Sequence, residues 1–286
     1  MSSLYRHFKN QAEIDAEYDV ETAVPDFMVY AQHYIEESRH TREKFDCILD
    51  VQYGPTRDET LDIFPAGPGS PVFIFIHGGG WRILSSKEFS FVALGMRELG
   101  ITTVVVNYSL CPKVSIDEIT RQARASVAWV LRRIDRYGCD PSRVVVGGHS
   151  AGGQLGAMCV QTDWAGEYGL PADPLAGAVL VSGVFDIEPF RWSCLQPMLQ
   201  INDGVVQRNS PLFHIASSST PQLISWGGDE TSEFVRQSES YLRAWQSAGN
   251  RGEGLSQAGR NHFDAIYGFE DPRSPLSQWV RKALRA

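Results

Sequence analysis

The sequence feature that most restricts the fold is a series of short apolar segments of β-type composition, separated by segments with helical periodicity. The apolar segments span residues 72–76, 102–106, 143–147, 178–181 and 222–226. The clearest helical pattern spans residues 116–134, where apolar side chains recur every three or four positions. Strands that alternate with helices predict an α/β fold, in which a mostly parallel central sheet carries helices on both faces.

The chain is predicted to be a single domain over residues 1–286, because it contains no internal repeat and no low-complexity segment. Residues 1–46 are predicted to form an N-terminal helical arm, in which four apolar residues recur at helical spacing: Phe27, Met28, Ala31 and Tyr34. Residues 47–53 and 60–64 predict a β-hairpin. Residues 185–215 interrupt the alternation without a clear period and are predicted to be a lid or binding segment.

Charge and cysteine content exclude several classes of function. The formal net charge of −8 and the pI near 5.4 provide no basic field for nucleic acid or an anionic membrane. Five cysteines without a CxxC pair fit neither a disulfide framework nor a zinc site. Because neither a signal peptide nor a long apolar run is visible, we expect a cytoplasmic protein without nucleic-acid or membrane partners, and with a homodimer as a possible assembly.

A nucleophile motif lies between a predicted strand and a predicted helix. Residues 148–152 read G-H-S-A-G, directly after the strand at 143–147 and directly before a helix that begins at Ala151. This G-x-S-x-G pattern places a serine on a sharp turn at the carboxyl end of a strand, where flanking glycines avoid the clashes of a Cβ atom. The dipole of the following helix points at the reacting group. Ser150 is therefore the predicted nucleophile.

A glycine-rich loop, His77 to Trp81, follows the strand at 72–76. Successive glycines let backbone N–H groups approach a substrate oxygen at the point where negative charge develops. We predict that the donors of this oxyanion hole are Gly79, Gly80 and Ala151. The alternatives are a tight turn or a phosphate-binding loop, but no Lys-Ser/Thr pair follows and the spacing is not G-x-G-x-x-G.

A general base and its acid partner are expected after the serine, in the order acid and then histidine. Of the seven histidines, only His262 follows the acid candidates, and it stands just after a short predicted strand at 254–256. Asp229 and Glu230 stand side by side after the strand at 222–226. Either carboxylate is able to orient the imidazole, and the other is expected to cap the helix that begins near Thr231.

With these residues in view, the chain resembles the α/β-hydrolase superfamily from about Cys47 onward, and more narrowly the arylformamidase (kynurenine formamidase) and HGGG-type esterase group. The resemblance rests on four motifs, at residues 77–81, 148–153, 209–211 and 233–238. In relatives the acid stands nine residues after the proline that opens its strand and four before the phenylalanine of the last motif. Counting from Pro221 and Phe234 gives Glu230, with Asp229 in reserve. One departure is Gly80, where formamidases often have tyrosine.

The resemblance implies a serine hydrolase that cleaves an acyl-aryl amide or ester through an acyl-enzyme, without a metal or organic cofactor. The favoured substrate is an N-formyl arylamine such as N-formylkynurenine. Candidates for an apolar wall around the aromatic ring are Trp81, Phe185, Phe190 and Trp192, and packing within the lid is an equal alternative for each of them. A carboxylesterase for short-chain or aryl esters is the second hypothesis. A non-catalytic hydrolase-fold binding protein is the third, and the intact serine, histidine, acid and oxyanion glycines disfavour it.

Overall fold

The computed structural model describes residues 3–285 and contains an eight-stranded sheet with the strand order β1-β2-β4-β3-β5-β6-β7-β8. The strands are β1 (Ile48–Gln52), β2 (Thr60–Phe64), β3 (Ser70–Ile76), β4 (Thr102–Val106), β5 (Cys139–His149), β6 (Gly177–Val181), β7 (Gln222–Gly227) and β8 (Gly252–Gln257). The pairs β1–β2 and β2–β4 are antiparallel, and all later neighbours are parallel. The predicted α/β fold with a mostly parallel sheet is confirmed, and the predicted hairpin is β1–β2.

Helices cover both faces of the sheet. They are α1 (Gln11–Tyr18), α2 (Phe27–Lys44), α3 (Ala93–Glu98), α4 (Ile116–Arg133), α5 (Ala151–Val160), α6 (Trp164–Tyr168), α7 (Gln196–Leu199), α8 (Asp203–Asn209), α9 (Ser232–Ser247) and α10 (Pro275–Ala283). Short 3₁₀ helices span Ser86–Val92, Ile134–Tyr137, Glu188–Trp192, Pro211–Phe213 and Asp264–Glu270. In residues 3–285, we find no helix with both the length and the apolarity that a bilayer crossing needs.

Strand β3 shows why the central strands are apolar throughout rather than alternating. Val72, Ile74 and Ile76 belong to the core cluster that contains α4, α5 and α9. Phe73 and Phe75 point to the opposite face, into the cluster that contains α3 and α10. Because each face of a strand is covered by helices, neither set of side chains meets solvent, and the sequence carries a continuous apolar run.

The N-terminal segment, defined here as residues 3–44, contains α1 and α2. Helix α2 begins after Asp26, whose side chain accepts a hydrogen bond from the Met28 backbone N–H. The structure corrects one detail of the predicted apolar stripe, because Met28 is 64% exposed whereas Tyr34 is buried. The sequence patterns did not predict helix α1. The segment packs on residues that follow β6 and β7, through hydrogen bonds such as Arg6 to Asp186 (2.7 Å) and Tyr18 to Glu233 (2.6 Å).

Candidate active site

Ser150 stands on the turn between β5 and α5, as its motif predicts. Its backbone has φ 55° and ψ −118°, a conformation that costs energy for a residue with a side chain. The Ser150 N–H donates to the Val181 carbonyl at 2.9 Å, which holds the turn against β6. A Cβ atom at Gly152 would lie 2.0 Å from the Ile76 carbonyl oxygen, so α5 approaches β3 so closely that only glycine fits.

The glycine-rich loop lies beside this turn. Gly79 adopts φ 108°, and a Cβ atom there would lie 2.2 Å from the Ile83 carbonyl oxygen. Gly79, Gly80 and Ala151 line the same cavity as Ser150. Within residues 3–285, their backbone N–H groups donate no hydrogen bond to another protein group, and Ala151 is the first residue of α5, where N–H groups lack helical partners. Three unused donors therefore stand next to the serine.

A hydrogen-bond chain that the sequence patterns did not reveal holds this loop in place. The Trp81 indole N–H donates to Gln154 Oε1 on α5 at 3.0 Å, and Gln154 Nε2 donates to the Asn209 carbonyl at 2.9 Å. Asn209 opens the Asn-Ser-Pro motif at 209–211. Since all three residues are buried, the chain fixes the distance between the loop and α5.

The predicted base, His262, and the preferred acid candidate, Glu230, contact each other. His262 Nδ1 lies 2.8 Å from Glu230 Oε2, and the Glu230 side chain is 0% exposed. The other oxygen, Oε1, accepts hydrogen bonds from the Ser182 hydroxyl at 2.5 Å and from the Gly227 N–H at 2.6 Å. Asp229, by contrast, is exposed and does not contact the imidazole. The structure thus brings one of the two adjacent carboxylates to His262 and leaves the other in solvent.

The prediction that the second carboxylate caps α9 is wrong. The N-cap position is Thr231, and its side chain makes no capping hydrogen bond. Instead, the carboxylate of Glu17 in the N-terminal segment accepts from Ser232 Oγ at 3.0 Å and from the Glu233 N–H at 2.9 Å. The backbone N–H of Asp229 is bonded to the Arg260 carbonyl, and its side chain faces water. Glu17, which is distant in the sequence, therefore caps α9 in place of the neighbouring carboxylate that the sequence predicted.

Ser150 and His262 are both buried and line one cavity. Among the described residues, no hydrogen bond joins the Ser150 hydroxyl to His262. Hydrogen bonds of this kind are often long in a structure without substrate and shorten when one binds. Glu230 and His262 are therefore in direct contact, whereas Ser150 and His262 share the cavity without a hydrogen bond between them.

The cavity has a volume of about 880 Å³ including its open mouth, and its walls are mainly apolar, with eight aromatic side chains. The aromatic residues are Tyr18, Phe27, Tyr34, Trp81, Phe89, Phe190, Phe234 and Phe263. Of the four candidates for an apolar wall, Trp81 and Phe190 line this cavity, whereas Phe185 and Trp192 are packing residues, the alternative that the sequence left open. The ring of Phe185 stacks on Tyr241 in the core with 4.1 Å between ring centroids, and Trp192 stacks on Tyr5 with 5.9 Å between ring centroids.

The N-terminal segment supplies much of this wall. Its contribution includes Tyr18 from α1 and Phe27, Ala31, Tyr34 and Ile35 from α2. Residues 185–215 contribute Phe190 and Leu195. The helical spacing of Phe27, Ala31 and Tyr34 predicted an apolar helix face. Periodicity alone does not indicate which part of the molecule that face covers. The role of residues 185–215 as a lid stays a prediction.

Charged groups at the cavity wall are mostly engaged by other protein groups. Arg82 pairs with Glu21 of the N-terminal segment at 2.7 Å. Glu88 accepts hydrogen bonds from the backbone and hydroxyl of Ser85 at 2.8 Å. Among residues 3–285, no group of three or more His, Cys, Asp or Glu side chains is arranged to hold a metal ion. The wall therefore offers a ligand a mainly apolar surface in which aromatic rings are prominent.

His77, at the start of the glycine-rich loop, is fully buried and stacks on Tyr108 at 4.1 Å. Burial lowers the pKa of His77 from 6.5 to about 4. The unfolded chain therefore binds a proton between these two pH values while the folded chain does not, so stability is fully present above pH 6.5 and falls as the pH drops toward 4. Between pH 6.5 and pH 4, this proton uptake lowers the free energy of unfolding by about 3 kcal/mol.

We expect His77→Phe, which keeps the ring in its stack, to show a weaker loss of stability on acidification than the parent chain. Denaturant unfolding of both proteins at about pH 7 and about pH 5 measures the difference, because other titrating groups are common to both. An unchanged pH dependence in the variant would contradict the assignment of a neutral, buried His77.

Comparisons with known proteins agree with this geometry. The family described as alpha/beta hydrolase fold matches residues 73–204. Kynurenine formamidase of Danio rerio is 31% identical over 255 residues, which cover 86% of this chain and 85% of the relative. Esterase LipQ of Mycobacterium tuberculosis is 28% identical, over 70% of this chain and 53% of that protein. A solved structure from Silicibacter has a TM-score of 0.83 at 23% identity, over 96% of this chain and 99% of that one, and shows the shared fold. The chain is therefore a hydrolase and belongs to the α/β-hydrolase family that includes the kynurenine formamidases.

Proposed function

We propose that this chain hydrolyses N-formyl aryl amides through an acyl-enzyme, with Ser150 as nucleophile, His262 as general base and Glu230 as the acid that orients it. The observation that carries the proposal is the buried 2.8 Å contact between His262 Nδ1 and Glu230 Oε2, on the wall of the cavity that Ser150 also lines. A histidine and a carboxylate in contact, on the wall of a cavity that a serine also lines, are the arrangement that acyl transfer needs.

The reaction has two steps. His262 Nε2 takes the proton of the Ser150 hydroxyl as its oxygen attacks the formyl carbon, and the resulting oxyanion accepts hydrogen bonds from the N–H groups of Gly79, Gly80 and Ala151. His262 then gives the proton to the leaving nitrogen, the C–N bond breaks, and the aryl amine departs. Water attacks the formyl-serine with the same base, and formate is released.

Glu230 prepares His262 for both steps. When Nδ1–H donates to Glu230 Oε2, Nε2 is left without a proton and is free to act as the base. The Ser182 hydroxyl and the Gly227 N–H hold the other carboxylate oxygen, so the carboxylate does not rotate away. Its negative charge also stabilises the imidazolium that forms during the attack.

Two observations support an aromatic formamide as the substrate. The Danio rerio relative that matches most of this chain is a kynurenine formamidase. The cavity presents eight aromatic side chains to the region around Ser150, which suits the burial of an aryl ring. N-Formylkynurenine, in which a formyl group is attached to an aromatic amine, is therefore the substrate we favour.

N-Formyl aryl amides are expected to show higher kcat/KM than the matching N-acetyl amides. A formyl group is the smallest acyl group, and one additional methyl in a fitted pocket costs roughly 1 to 3 kcal/mol of discrimination, or about 10- to 200-fold. Initial rates on formanilide, acetanilide and N-formylkynurenine measure the ratio. Phenyl formate serves as a control, because an activated ester tests the nucleophile independently of the amide bond.

A carboxylesterase for short-chain or aryl esters is the second candidate. Gly80, where formamidases often have tyrosine, and the similarity to esterase LipQ favour it. For this activity, kcat/KM rises with acyl length from formyl through butyryl esters while formanilides stay intact. A non-catalytic binding protein would leave both substrate series intact and would not be labelled at Ser150 by a fluorophosphonate.

Our proposal also covers the organisation of the chain. We treat residues 1–286 as one hydrolase domain, with residues 1–46 as a helical arm and residues 185–215 as a lid or binding segment. A homodimer and cytoplasmic localisation stay predictions. Light scattering of the purified protein tests the first, and imaging of the tagged protein in its native cell tests the second.

A further inference from the structure

His149 stands directly before Ser150, and its side chain reaches the loop that carries His262. His149 Nε2 lies 2.7 Å from the backbone carbonyl oxygen of His262, and the two imidazole rings are 4.7 Å apart. The His149 residue is 3% exposed. A buried side chain that belongs to the nucleophile turn thus contacts the backbone of the proposed base.

The opposite edge of the His149 ring meets the oxyanion loop. A Cβ atom at Gly78 would lie 2.9 Å from His149 Nδ1 and 3.3 Å from the Ser150 Cβ, so the loop approaches the ring because residue 78 has no side chain. Within the described part of the chain, Nδ1 has no hydrogen-bond partner. The ring therefore fills the space between the oxyanion loop and the loop that carries His262.

The contact with the carbonyl determines which nitrogen carries the proton. A carbonyl oxygen only accepts hydrogen bonds, so Nε2 must be the donor. Burial, together with the nearby His262, lowers the pKa of His149 well below its ordinary value. The ring is therefore neutral, with its single proton on Nε2 and a bare Nδ1.

Besides the contact of His262 with Glu230 and the hydrogen bond from the Asp229 N–H to the Arg260 carbonyl, two hydrogen bonds attach the loop around His262 to the N-terminal segment. The Tyr34 hydroxyl donates to the Phe263 carbonyl at 2.6 Å, and Asn261 Nδ2 donates to the Tyr30 hydroxyl at 2.6 Å. Neither attachment contacts the nucleophile turn. Within residues 3–285, the hydrogen bond from His149 is the one that joins the backbone of His262 to the turn carrying Ser150.

We infer that His149 is a positioning residue for the proposed reaction: its Nε2–H holds the His262 backbone at the distance from Ser150 and the oxyanion loop at which proton transfer occurs. This inference rests on the proposed function, because it assigns a role relative to Ser150 and His262. Without the donor, the His262 carbonyl loses its partner and the His262 backbone is no longer held to the turn that carries Ser150, although Glu230 and the N-terminal segment still hold the loop. A displacement of about 1 Å of a reacting group is enough to lower the rate roughly 100-fold.

Two substitutions separate the donor from the shape of the ring. His149→Phe keeps a planar ring but has no N–H group, whereas His149→Gln places an amide N–H at a similar reach. We expect His149→Phe to lower kcat by roughly 100-fold with little change in KM, and to slow fluorophosphonate labelling of Ser150 in parallel. His149→Gln should recover most of the lost kcat. Thermal unfolding of both variants shows whether the fold is retained.

The inference is overturned if folded His149→Phe keeps the parental kcat, if it raises KM instead, or if His149→Gln recovers nothing. If His149→Phe does not fold, the parent protein provides the test. Nuclear magnetic resonance of ¹⁵N-histidine-labelled protein should show, besides the signal of the buried His77, an imidazole that stays neutral between about pH 5 and 8 with its proton on Nε2, assigned to His149 by its loss in His149→Gln. A proton on Nδ1, or on both nitrogens at neutral pH, would overturn the inference.

Failure of the proposed function gives a different pattern. In that case the parent protein cleaves neither formamides nor esters and Ser150 is not labelled, whatever the tautomer of His149. If the parent protein is active and labelled at Ser150, and His149→Phe behaves like it, only the role of His149 is rejected.

Discussion

Ser150→Ala is expected to fold like the parent chain and to lose nearly all turnover, with kcat roughly a millionfold lower. Ser150 already adopts φ 55° with a side chain, so alanine introduces no new backbone strain. No other hydroxyl is proposed to take the place of its oxygen in covalent catalysis, and the remaining rate comes from the oxyanion donors and substrate binding alone. Steady-state kinetics on the preferred substrate and thermal unfolding measure the two parts of this prediction.

His262→Ala is the partner experiment. It should lower kcat about as much as Ser150→Ala does. The kcat of the double variant should be little lower than that of either single variant, because the nucleophile and the base act as one unit. Additive losses would show that the two residues act independently. A Ser150→Ala protein that keeps more than a few per cent of parental activity would remove the serine from the mechanism.

Glu230→Gln is expected to lower kcat by roughly ten-thousandfold, the size of effect that follows loss of the correct imidazole tautomer. All three partners of the Glu230 carboxylate are donors: His262 Nδ1–H, the Ser182 hydroxyl and the Gly227 N–H. An amide has only one acceptor oxygen, so its NH₂ group must face a donor. The histidine then presents a lone pair at Nδ1 and carries its proton on Nε2, where a base is needed.

Asp229→Asn is the matched control, since it makes the same chemical change one residue away. Asp229 is exposed and caps no helix, so we expect parental kinetics and an unchanged free energy of unfolding. Kinetics and denaturant unfolding of both variants provide the comparison. The reverse ranking would transfer the role of the acid to Asp229, and parental activity in both variants would exclude a carboxylate from the mechanism.

The strands and helices of the sheet could be predicted because their burial leaves a local pattern. Strand β3 is apolar throughout since helices cover both faces, and α4 shows one apolar stripe opposite its arginines. The 3₁₀ turn after α4 ends at Gly138 with φ 76°, as a glycine at that position predicts. The turn that carries Ser150 and the glycine-rich loop could be predicted for a related reason. Close approaches of the backbone require glycine, and glycines can be identified directly in the sequence.

Features made by distant parts of the chain could not be predicted in this way. Glu17 caps α9 across more than two hundred residues, and no local pattern links the two positions. Phe185 and Trp192 have the composition of a binding wall, but their packing partners are Tyr241 and Tyr5. His149 occupies the variable position of its motif, so only the position of the His262 carbonyl suggests its role.

The docking of the N-terminal segment has a consequence for how this enzyme is made. Tyr18 bonds Glu233, 215 positions later, and Tyr34 bonds the Phe263 carbonyl, 229 positions later. During translation, residues 3–44 leave the ribosome long before Glu233 and Phe263, which receive these two hydrogen bonds. Contacts so far apart in the chain form late in folding. A nascent chain stalled before the loop around His262 therefore exposes the part of α2 that packs on that loop, including Phe27, and we expect it to be a substrate for chaperones rather than a partly active hydrolase.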